Sequence, residues 1–172
     1  MSNTQVATWF ERKFEFAFPT ELYPNVIIRL LGTPARLEDL ILDRPAGVMT
    51  AKRDGKWSAQ EHAGHMLDLE PLWMARVEDY LAGAAQLSVA DLSNRKTDDA
   101  NHNSGDRGEI LTRFRKARTQ LADRVAGLEP TLFSRTIPHP RLKQPMRLVD
   151  HLYFVAEHDD HHLAKIWELI SG

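Results

Sequence analysis

Two histidines four residues apart, His158 and His162, lie near the end of the chain in a segment with the pattern of an amphipathic helix. Residues at this spacing share one face of a helix, so both imidazoles can bind the same divalent metal ion. At an advance of about 100° per residue, the pair falls on the apolar stripe with Val155 and Ile166. Ionisable side chains on a core-facing stripe need a partner, because burying them unpaired is costly. A metal ion would satisfy that need.

A third ligand must come from another helix, because a catalytic metal site commonly has three protein ligands and one open position. The segment after residue 57 offers His62 and His65. The apolar stripe of that helix places His62 nearer its centre, but Pro71 can rotate one half of the helix relative to the other. Spacing alone therefore leaves the two histidines as equal alternatives.

Two other histidines of the last helix are weaker candidates for the same ion. His161 falls about 120° from the centre of the apolar stripe, which predicts a position at its flank or on the surface. His151 lies on the stripe but roughly 10 Å from His158 along the helix axis. We interpret His151 as a hydrogen-bonded histidine of the core or as a residue that supports the ligands.

Three imidazole nitrogens indicate a particular group of ions and a particular chemistry. They suit zinc, nickel, iron or copper better than magnesium or calcium. Such an ion lowers the pKa of a bound water or thiol, or polarises a carbonyl group. Carboxylates within a turn of the histidines are Asp68, Glu61, Glu157 and Asp159. Each is interpreted as a solvated surface charge, with orientation of an imidazole as the alternative.

The composition limits the class of protein. At 172 residues, the chain fits one domain, residues 1–172, with a substantial core. Its 22 basic and 24 acidic residues give a formal net charge of −2, which does not indicate a nucleic-acid-binding protein. The absence of cysteine excludes disulfides, cysteine-based zinc sites and thiol nucleophiles. No apolar run of about 18 residues and no secretory pattern is visible, so we expect a cytoplasmic protein without a membrane span.

The sequence pattern predicts helices almost throughout, with no strand alternation and no repeat. The predicted elements are an amphipathic start at 5–17, long helices at about 21–42, 58–82, 106–126 and 146–170, a turn at 130–133, and loops at 43–57 and 138–145. The first long helix should bend or split at its Gly-Thr-Pro sequence, residues 32–34. The second should begin with a capping box formed by Ser58 and Glu61.

Four long helices with unequal connections predict an all-α four-helix bundle. The connection between the second and third helices, residues 83–105, is polar and long enough to cross the bundle. A short connection implies antiparallel neighbours, whereas a long one permits parallel neighbours. The connections therefore favour an up-down-down-up topology over up-down-up-down.

Two segments carry a resemblance to a known family. Residues 56–70 read KWSAQEHAGHMLDLE, and residues 156–166 read AEHDDHHLAKI. The first resembles the kWS..E...HL.d.E signature of the DinB-like superfamily, also called YfiT-like metal-dependent hydrolases. The second is similar to the H..hH...I helix at the end of that family. Weaker similarities at residues 30–34 and 101–103 occur in the same order, so the resemblance covers nearly the whole chain.

The resemblance implies a ligand set and a class of chemistry. In this family one histidine of the second helix and a His-x3-His pair of the last bind a divalent ion, usually zinc or nickel. This maps the ligands onto His65, His158 and His162, and leaves His62 at a variable position. The family implies the up-down-down-up bundle and frequent homodimers. Its characterised relatives include transferases that attach a low-molecular-weight thiol to electrophiles, and thiol-dependent isomerases.

Three functions are consistent with these patterns. The first is a metal-dependent enzyme, a hydrolase or thiol S-transferase acting on a small electrophilic substrate. The second is a non-catalytic stress-response or interaction protein, whose metal is closed off by His62 or Glu61 and contributes to folding. The third is a metal-free bundle with mutually hydrogen-bonded histidines. Aromatic residues near the N-terminus either cap the bundle or pack on a second subunit: Trp9, Phe10, Phe14 and Phe16.

Overall fold

Four long helices form the bulk of the structure, a computed structural model that describes residues 6–171. They are α1 (Tyr23–Ile41), α3 (Ala59–Ala82), α5 (Arg107–Ala126) and α6 (Leu148–Ser171); the shorter ones are α2 (Ala46–Thr50) and α4 (Arg95–Ala100). Short 3-10 helices occupy Trp9–Glu11, Thr20–Leu22, His102–Ser104 and Pro130–Ser134. Within residues 6–171, no helix is long and apolar enough to cross a membrane. Residues 1–5 lie outside the described part of the chain. They include the first residue of the predicted amphipathic start and most of the N-terminal segment in which a secretory signal would lie.

The direction of the long helices follows from the order of the contacts between them. Helices α1 and α6 are parallel, since residue numbers increase in both from the pair Arg29–Glu157 to the pair Arg36–Asp160. Helices α3 and α5 are parallel for the same reason, from Glu70–Arg118 to Glu78–Arg124. Helices α1 and α5 are antiparallel, since the contacts Glu38–Arg115 and Leu30–Arg118 run in opposite directions along them. Helices α3 and α6 are also antiparallel, as the contacts His62–His162 and Trp73–His151 show. The bundle therefore runs up, down, down and up, and the predicted fold class and topology are confirmed.

Two connections predicted as loops contain short helices. The helix α2 lies within residues 43–57, and the crossover of residues 83–105 contains α4 and the 3-10 helix His102–Ser104. Helices this short do not repeat an apolar face often enough to give a periodic pattern. All three pack against α3, so the crossover lies beside the helix that carries His65.

The prediction of no strands is wrong between α5 and α6. Strand β1 (Thr136–His139) pairs antiparallel with β2 (Gln144–Arg147), in the region predicted as a proline-rich loop. Ile137 and Met146 face each other across the ladder and are buried. The strands have four residues each, and a proline in each disguises the alternation. The crossover is tied to this hairpin, since Leu87 N donates to Pro138 O at 3.1 Å.

The N-terminal aromatic residues cap the bundle. Within the described part of the predicted amphipathic start, the single short helix is Trp9–Glu11, and the rest is irregular. Trp9 and Phe14 each contact the ring of Phe154 on α6, with centroids 5.1 Å apart. Phe10 remains 55% exposed. The capping alternative therefore accounts for Trp9 and Phe14, and the homodimer stays a prediction.

Helix α1 is continuous through Pro34, so the expected division into two pieces does not occur. Proline has no N–H, so the carbonyl oxygen of Leu30, four residues earlier, loses its helical donor. Arg118 of α5 donates to that oxygen through Nη1 at 3.5 Å. A neighbouring helix therefore supplies the hydrogen bond that the proline removes.

A layer of buried polar side chains, here called the polar layer, divides the core into two apolar clusters. It consists of Thr33, Glu70, Arg118 and Asp159, one residue from each long helix. The upper cluster includes Leu30, Trp73, Leu121 and Val155. The lower cluster includes Leu37, Met66, Phe114 and Ile166. Every long helix thus passes from one cluster to the other through one residue of the layer.

The guanidinium of Arg118 holds the polar layer together. Its Nη2 donates to Glu70 Oε1 at 2.6 Å and to Asp159 Oδ1 at 3.1 Å, and its Nη1 donates to Asp159 Oδ2. Thr33 Oγ1 also donates to Asp159 Oδ2, at 3.0 Å. Burial alone would lower the pKa of Arg118, but Asp159 and Glu70 outweigh burial and raise this pKa. Burial raises the pKa of Glu70 despite the opposing effect of Arg118.

We predict that Arg118→Met destabilises the protein by about 3–5 kcal/mol, because it leaves two buried carboxylates without their counter-charge. The free energy of unfolding from urea titration measures this. Arg124→Met is the matched control, since Arg124 forms an exposed pair with Glu78, and the expected loss is below about 1 kcal/mol. Equal losses in the two variants would contradict the role of the polar layer.

His151 lies in the upper part of the core without the predicted hydrogen bond. It is fully buried, and neither ring nitrogen has a partner among residues 6–171. Burial holds its pKa well below the ordinary value, so the folded protein keeps the ring neutral. The unfolded chain takes up a proton below about pH 6.5 and the folded chain does not. This residue therefore makes the protein less stable as the pH falls below that value.

We predict that His151→Phe reduces the loss of stability on acidification by about 2 kcal/mol between about pH 7 and pH 5, since one buried group no longer resists protonation. Urea unfolding at both pH values measures the difference. Other buried histidines contribute equally to the variant and the parent. Tyr153→Phe removes a group that does not titrate in this range and should keep the parental slope. An unchanged slope in His151→Phe would count against the prediction.

Candidate metal centre

Three buried histidines converge between α3 and α6. His65, His158 and His162 each offer a ring nitrogen, and these atoms lie within 4.8 Å of one another. Among residues 6–171 this is the one group of three potential ligands found. Two of the atoms, Nε2 of His158 and Nε2 of His162, are 3.1 Å apart. The structure thus brings together the three residues to which the family resemblance pointed, where spacing had left His62 and His65 open.

Hydrogen bonding fixes the tautomer of His65. Thr97 Oγ1 lies 3.0 Å from His65 Nδ1 and 3.0 Å from Asp68 Oδ2. A carboxylate accepts hydrogen bonds, so the Thr97 hydroxyl donates to Asp68 and its oxygen accepts from His65 Nδ1–H. The lone pair of His65 then resides on Nε2. This is the arrangement in which a histidine binds a metal through one nitrogen and is oriented through the other.

Asp68 extends this chain of hydrogen bonds to the crossover. His102 Nε2 donates to Asp68 Oδ2 at 2.7 Å, and the Asp68 side chain is 10% exposed. An ideal Cβ on Gly64 would lie 2.2 Å from His102 Cγ, so the ring approaches α3 only because residue 64 has no side chain. The interpretation of Asp68 as a solvated charge is therefore wrong, and its orienting role is the better description.

Sequence reasoning missed Thr97 and His102 as parts of this site. Thr97 belongs to α4, whose six residues give no periodic signal. His102 belongs to the segment 101–103 that resembles the family, but the resemblance predicted no function for this residue. Thr97 bonds His65 directly, and His102 bonds Asp68; the path of the crossover brings both to the site, and a sequence pattern does not specify that path.

His62 supports the site from beside it. Its Nδ1 lies 2.9 Å from Nδ1 of His162. If His162 keeps its Nε2 lone pair for a metal, its Nδ1–H donates and His62 Nδ1 accepts. His161 is half-buried at the flank, as predicted, with its ring centroid 5.6 Å from that of Trp9.

The remaining carboxylates near the histidines are engaged elsewhere. Glu61 accepts from Ser58 N at 2.8 Å in the predicted capping box and pairs with Lys52 at 2.8 Å. Glu157, only 15% exposed, pairs with Arg12 at 2.5 Å and Arg29 at 2.6 Å. Asp159 belongs to the polar layer and is 1% exposed, so its interpretation as a solvated charge is wrong.

The imidazoles are neutral near pH 7, which is the form that binds metal ions. Burial lowers the pKa of His65 to about 4 and holds the pKa values of His158 and His162 well below the ordinary value. The neighbouring histidines add to the effect. His158 Nδ1 is buried without a hydrogen-bond partner among the described residues. Its ring is instead packed against Trp9 and Trp73, with centroids 4.9 and 5.5 Å away.

The spacing of the two histidines on α6 matches that of two ligands on a tetrahedral metal ion. Zn–N distances of about 2.0–2.1 Å place two ligands of a tetrahedral site roughly 3.3 Å apart, close to the 3.1 Å between Nε2 of His158 and Nε2 of His162. The orientation of His65 by Thr97 supplies the third lone pair. These nitrogens suit zinc or nickel, with iron as an alternative.

A large cavity opens beside the three histidines. Its volume is about 1000 Å³, and all three histidines line it. Apolar walls come from Leu72 and Trp73 of α3 and from Phe154 of α6, while Trp9 and Phe10 border it from the N-terminal segment. Pockets of this size accommodate small organic molecules. The site is thus accessible to a ligand larger than water.

The fold and the histidine cluster define a family: the chain belongs to the DinB superfamily, whose model matches residues 29–166. Among solved structures it is similar to YfiT from Bacillus subtilis, described as a probable metal-dependent hydrolase with an unusual four-helix bundle topology. The TM-score is 0.79 at 21% identity, over 92% of this chain and 91% of that one, and this likeness shows the fold. No curated protein matches the chain.

We predict that Thr97→Val weakens metal binding about 10-fold to 100-fold, because the ring of His65 loses the acceptor that orients it. Titration against a competing chelator measures the affinity. Thr112→Val, an exposed position on α5, serves as the matched control and should bind metal as the parent does. Unchanged affinity in Thr97→Val would show that the hydrogen bond does not support the ligand.

Proposed function

We propose that the protein is a metal-dependent enzyme in which His65, His158 and His162 hold a divalent ion. The observation that carries the proposal is the convergence of three neutral imidazoles on a cavity large enough for a small organic substrate. The reaction would be hydrolysis or transfer of a low-molecular-weight thiol to a small electrophile. The thiol, the homodimer and the cytoplasmic location are parts of the proposal that rest on the sequence alone.

A bound ion would supply Lewis acidity, favouring the anionic form of a water or thiol or polarising a carbonyl group. The chain's own residues prepare the position for it. Thr97 accepts from His65 Nδ1–H and so leaves the Nε2 lone pair of His65 free, and with the Nε2 lone pair of His162 directed to the ion, His62 Nδ1 accepts a hydrogen bond from His162 Nδ1–H. Trp73 and Phe154 shield the cluster from bulk water and offer an apolar surface to the substrate. An electrostatic interaction is stronger in such water-poor surroundings.

The alternative, a non-catalytic protein stabilised by metal, requires a side chain that closes the fourth position. Glu61 is bound to Ser58 and Lys52, and Nδ1 of His62 faces His162. Both side chains considered for closure are therefore engaged in other contacts. The cavity adjoins the three histidines directly. These two observations favour an open coordination position, and hence an enzyme.

We predict that His65→Ala, His158→Ala and His162→Ala each lose bound metal and activity together, since two imidazoles rarely retain an ion at a site built for three. Elemental analysis of protein purified without a histidine tag measures the metal per chain. Turnover of a panel of esters and thiol–electrophile pairs measures the activity. His161→Ala is the matched control and should keep its metal, because His161 is outside the cluster.

The same measurements separate the three functions. A His162→Ala variant with its full metal content would contradict the ligand assignment. Parental protein with almost no metal, and no binding when zinc or nickel is added, would favour the metal-free bundle. A stoichiometric ion whose removal greatly lowers the melting temperature, without turnover of any substrate pair, would favour the metal-stabilised protein.

A further inference from the structure

Two arginines that line the cavity, Arg76 and Arg141, are at least half-buried and form no ion pair with a carboxylate among the described residues. Arg76 is 2% exposed, and its Nε donates a hydrogen bond to Ser88 O at 2.9 Å. Arg141 has a buried Nη2 without a hydrogen-bond partner. No ion pair to either arginine is found among residues 6–171, and residues 1–5 contain no carboxylate.

The comparison with Arg118 shows how unusual Arg76 is. Both guanidiniums are almost fully buried, at 0% and 2% exposure. Arg118 is bound by Glu70 and Asp159, as expected of a charge removed from water. For Arg76, by contrast, burial lowers the pKa to about 10. Asp79 raises the pKa of Arg76 without offsetting burial, and its carboxylate accepts from Ser88 N at 2.6 Å instead of forming an ion pair with the guanidinium. A buried cation without a paired carboxylate destabilises a folded protein, which is tolerated where an external anion supplies that charge.

A third donor lies beside the two arginines. His139 Nδ1 accepts from the backbone N–H of Arg141 at 3.2 Å and of Leu142 at 3.1 Å. The ring proton of the neutral form is therefore on Nε2. This Nε2 is buried and has no partner among the described residues. Burial, followed by the charges of Arg76 and Arg141, lowers the pKa of His139 to about 3, so the ring is neutral near pH 7 and its Nε2–H is available as a donor.

All three groups line the same cavity as the histidine cluster. The Cζ atom of Arg76 lies 5.5 Å from the ring centroid of Trp73, and that ring lies 5.5 Å from the ring of His158. A small molecule extended along Trp73 therefore reaches both the arginine and the cluster. Aromatic faces also flank Arg141, whose Cζ is 5.4 Å from the ring of Phe10.

We propose that Arg76, Arg141 and His139 form an oxyanion subsite, which binds a carboxylate or phosphate of the molecule that reacts at the histidine cluster. This role in the reaction rests on the proposed function, whereas the binding of an anion does not. Guanidinium groups bind carboxylate and phosphate through paired hydrogen bonds, and a neutral imidazole N–H adds a third. The subsite would select anionic substrates or anionic thiols over neutral ones.

The binding test uses the full chain, freed of metal by chelation, with malonate and inorganic phosphate as probes at constant ionic strength. Isothermal titration should show saturable binding to the parent. Arg141→Met and Arg76→Met should weaken it by about 10-fold to 100-fold, the loss expected for a charge-assisted hydrogen bond. Arg124→Met, whose exposed side chain pairs with Glu78, should bind as the parent does.

The melting temperature checks that the variants fold. Arg76→Met should melt no lower than the parent, since a buried unpaired cation is replaced by an apolar side chain of similar length. Arg141→Met, at a half-buried position, keeps the test decisive if Arg76→Met does not fold. No binding to the parent, or equal binding to the parent and Arg141→Met, would overturn the oxyanion subsite.

Kinetic measurements on the metal-loaded enzyme identify which reactant carries the anion. If the thiol carries it, Arg141→Met raises KM for mercaptosuccinate and leaves KM for 2-mercaptoethanol unchanged. If the electrophile carries it, KM rises for a carboxylate-bearing electrophile and not for its methyl ester. An inactive enzyme would overturn the proposed function alone, because the anion titration needs no metal. Lost anion binding with normal metal content would leave the histidine cluster intact.

Discussion

The four long helices are held at a common height by one buried guanidinium. Arg118 binds Glu70 of α3 and Asp159 of α6, and it donates to the Leu30 carbonyl of α1 that Pro34 leaves without a helical donor. Apolar contacts alone permit helices to slide, since they are not directional. Charge-assisted hydrogen bonds are directional, so Arg118 sets the position of each helix along the bundle axis. The apolar clusters above and below then pack in a single register.

The candidate metal centre inherits its geometry from this layer. Asp159 follows His158 in sequence, so the bond from Arg118 to Asp159 fixes the height and rotation of α6 at the ligand pair. Glu70 lies on the helix that carries His65, little more than one turn away. The two helices that supply ligands are thus both bound to the same guanidinium. Binding sites that depend on precise geometry need side chains held by residues that are themselves fixed.

Much of the fold could be predicted because its signals are local. The capping box at Ser58 predicts where α3 begins. The length of the polar crossover predicts that α3 and α5 can be parallel neighbours. The proximity of His158 and His162 follows from a single helical spacing. The choice of His65 over His62 did not follow from periodicity; it came from resemblance, and the structure places His65 in the cluster.

The errors concern contacts between segments distant in the sequence. Asp68 and Asp159 were interpreted as solvated because a carboxylate near a helix surface usually is. Their partners, His102 and Arg118, lie 34 and 41 positions away. The Gly-Thr-Pro sequence at residues 32–34 was expected to bend or split its helix, but Arg118 of α5 donates to the carbonyl oxygen that Pro34 leaves without a donor. No pattern within one segment reveals such a partner.

The residues of the candidate site come from two parts of the fold: the long helices of the bundle and the crossover that connects α3 to α5. The candidate ligands stand on the bundle, whereas Thr97, which accepts from His65, and His102, which donates to Asp68, stand on the crossover. Substitutions in the crossover would therefore change the acidity of an ion held by these histidines without repacking the four long helices. A change of reactivity in this chain would then need a change in one connecting segment only, with the four long helices and the three imidazoles unaltered. The residues that adjust the chemistry of the site are thus largely distinct from those that stabilise the bundle.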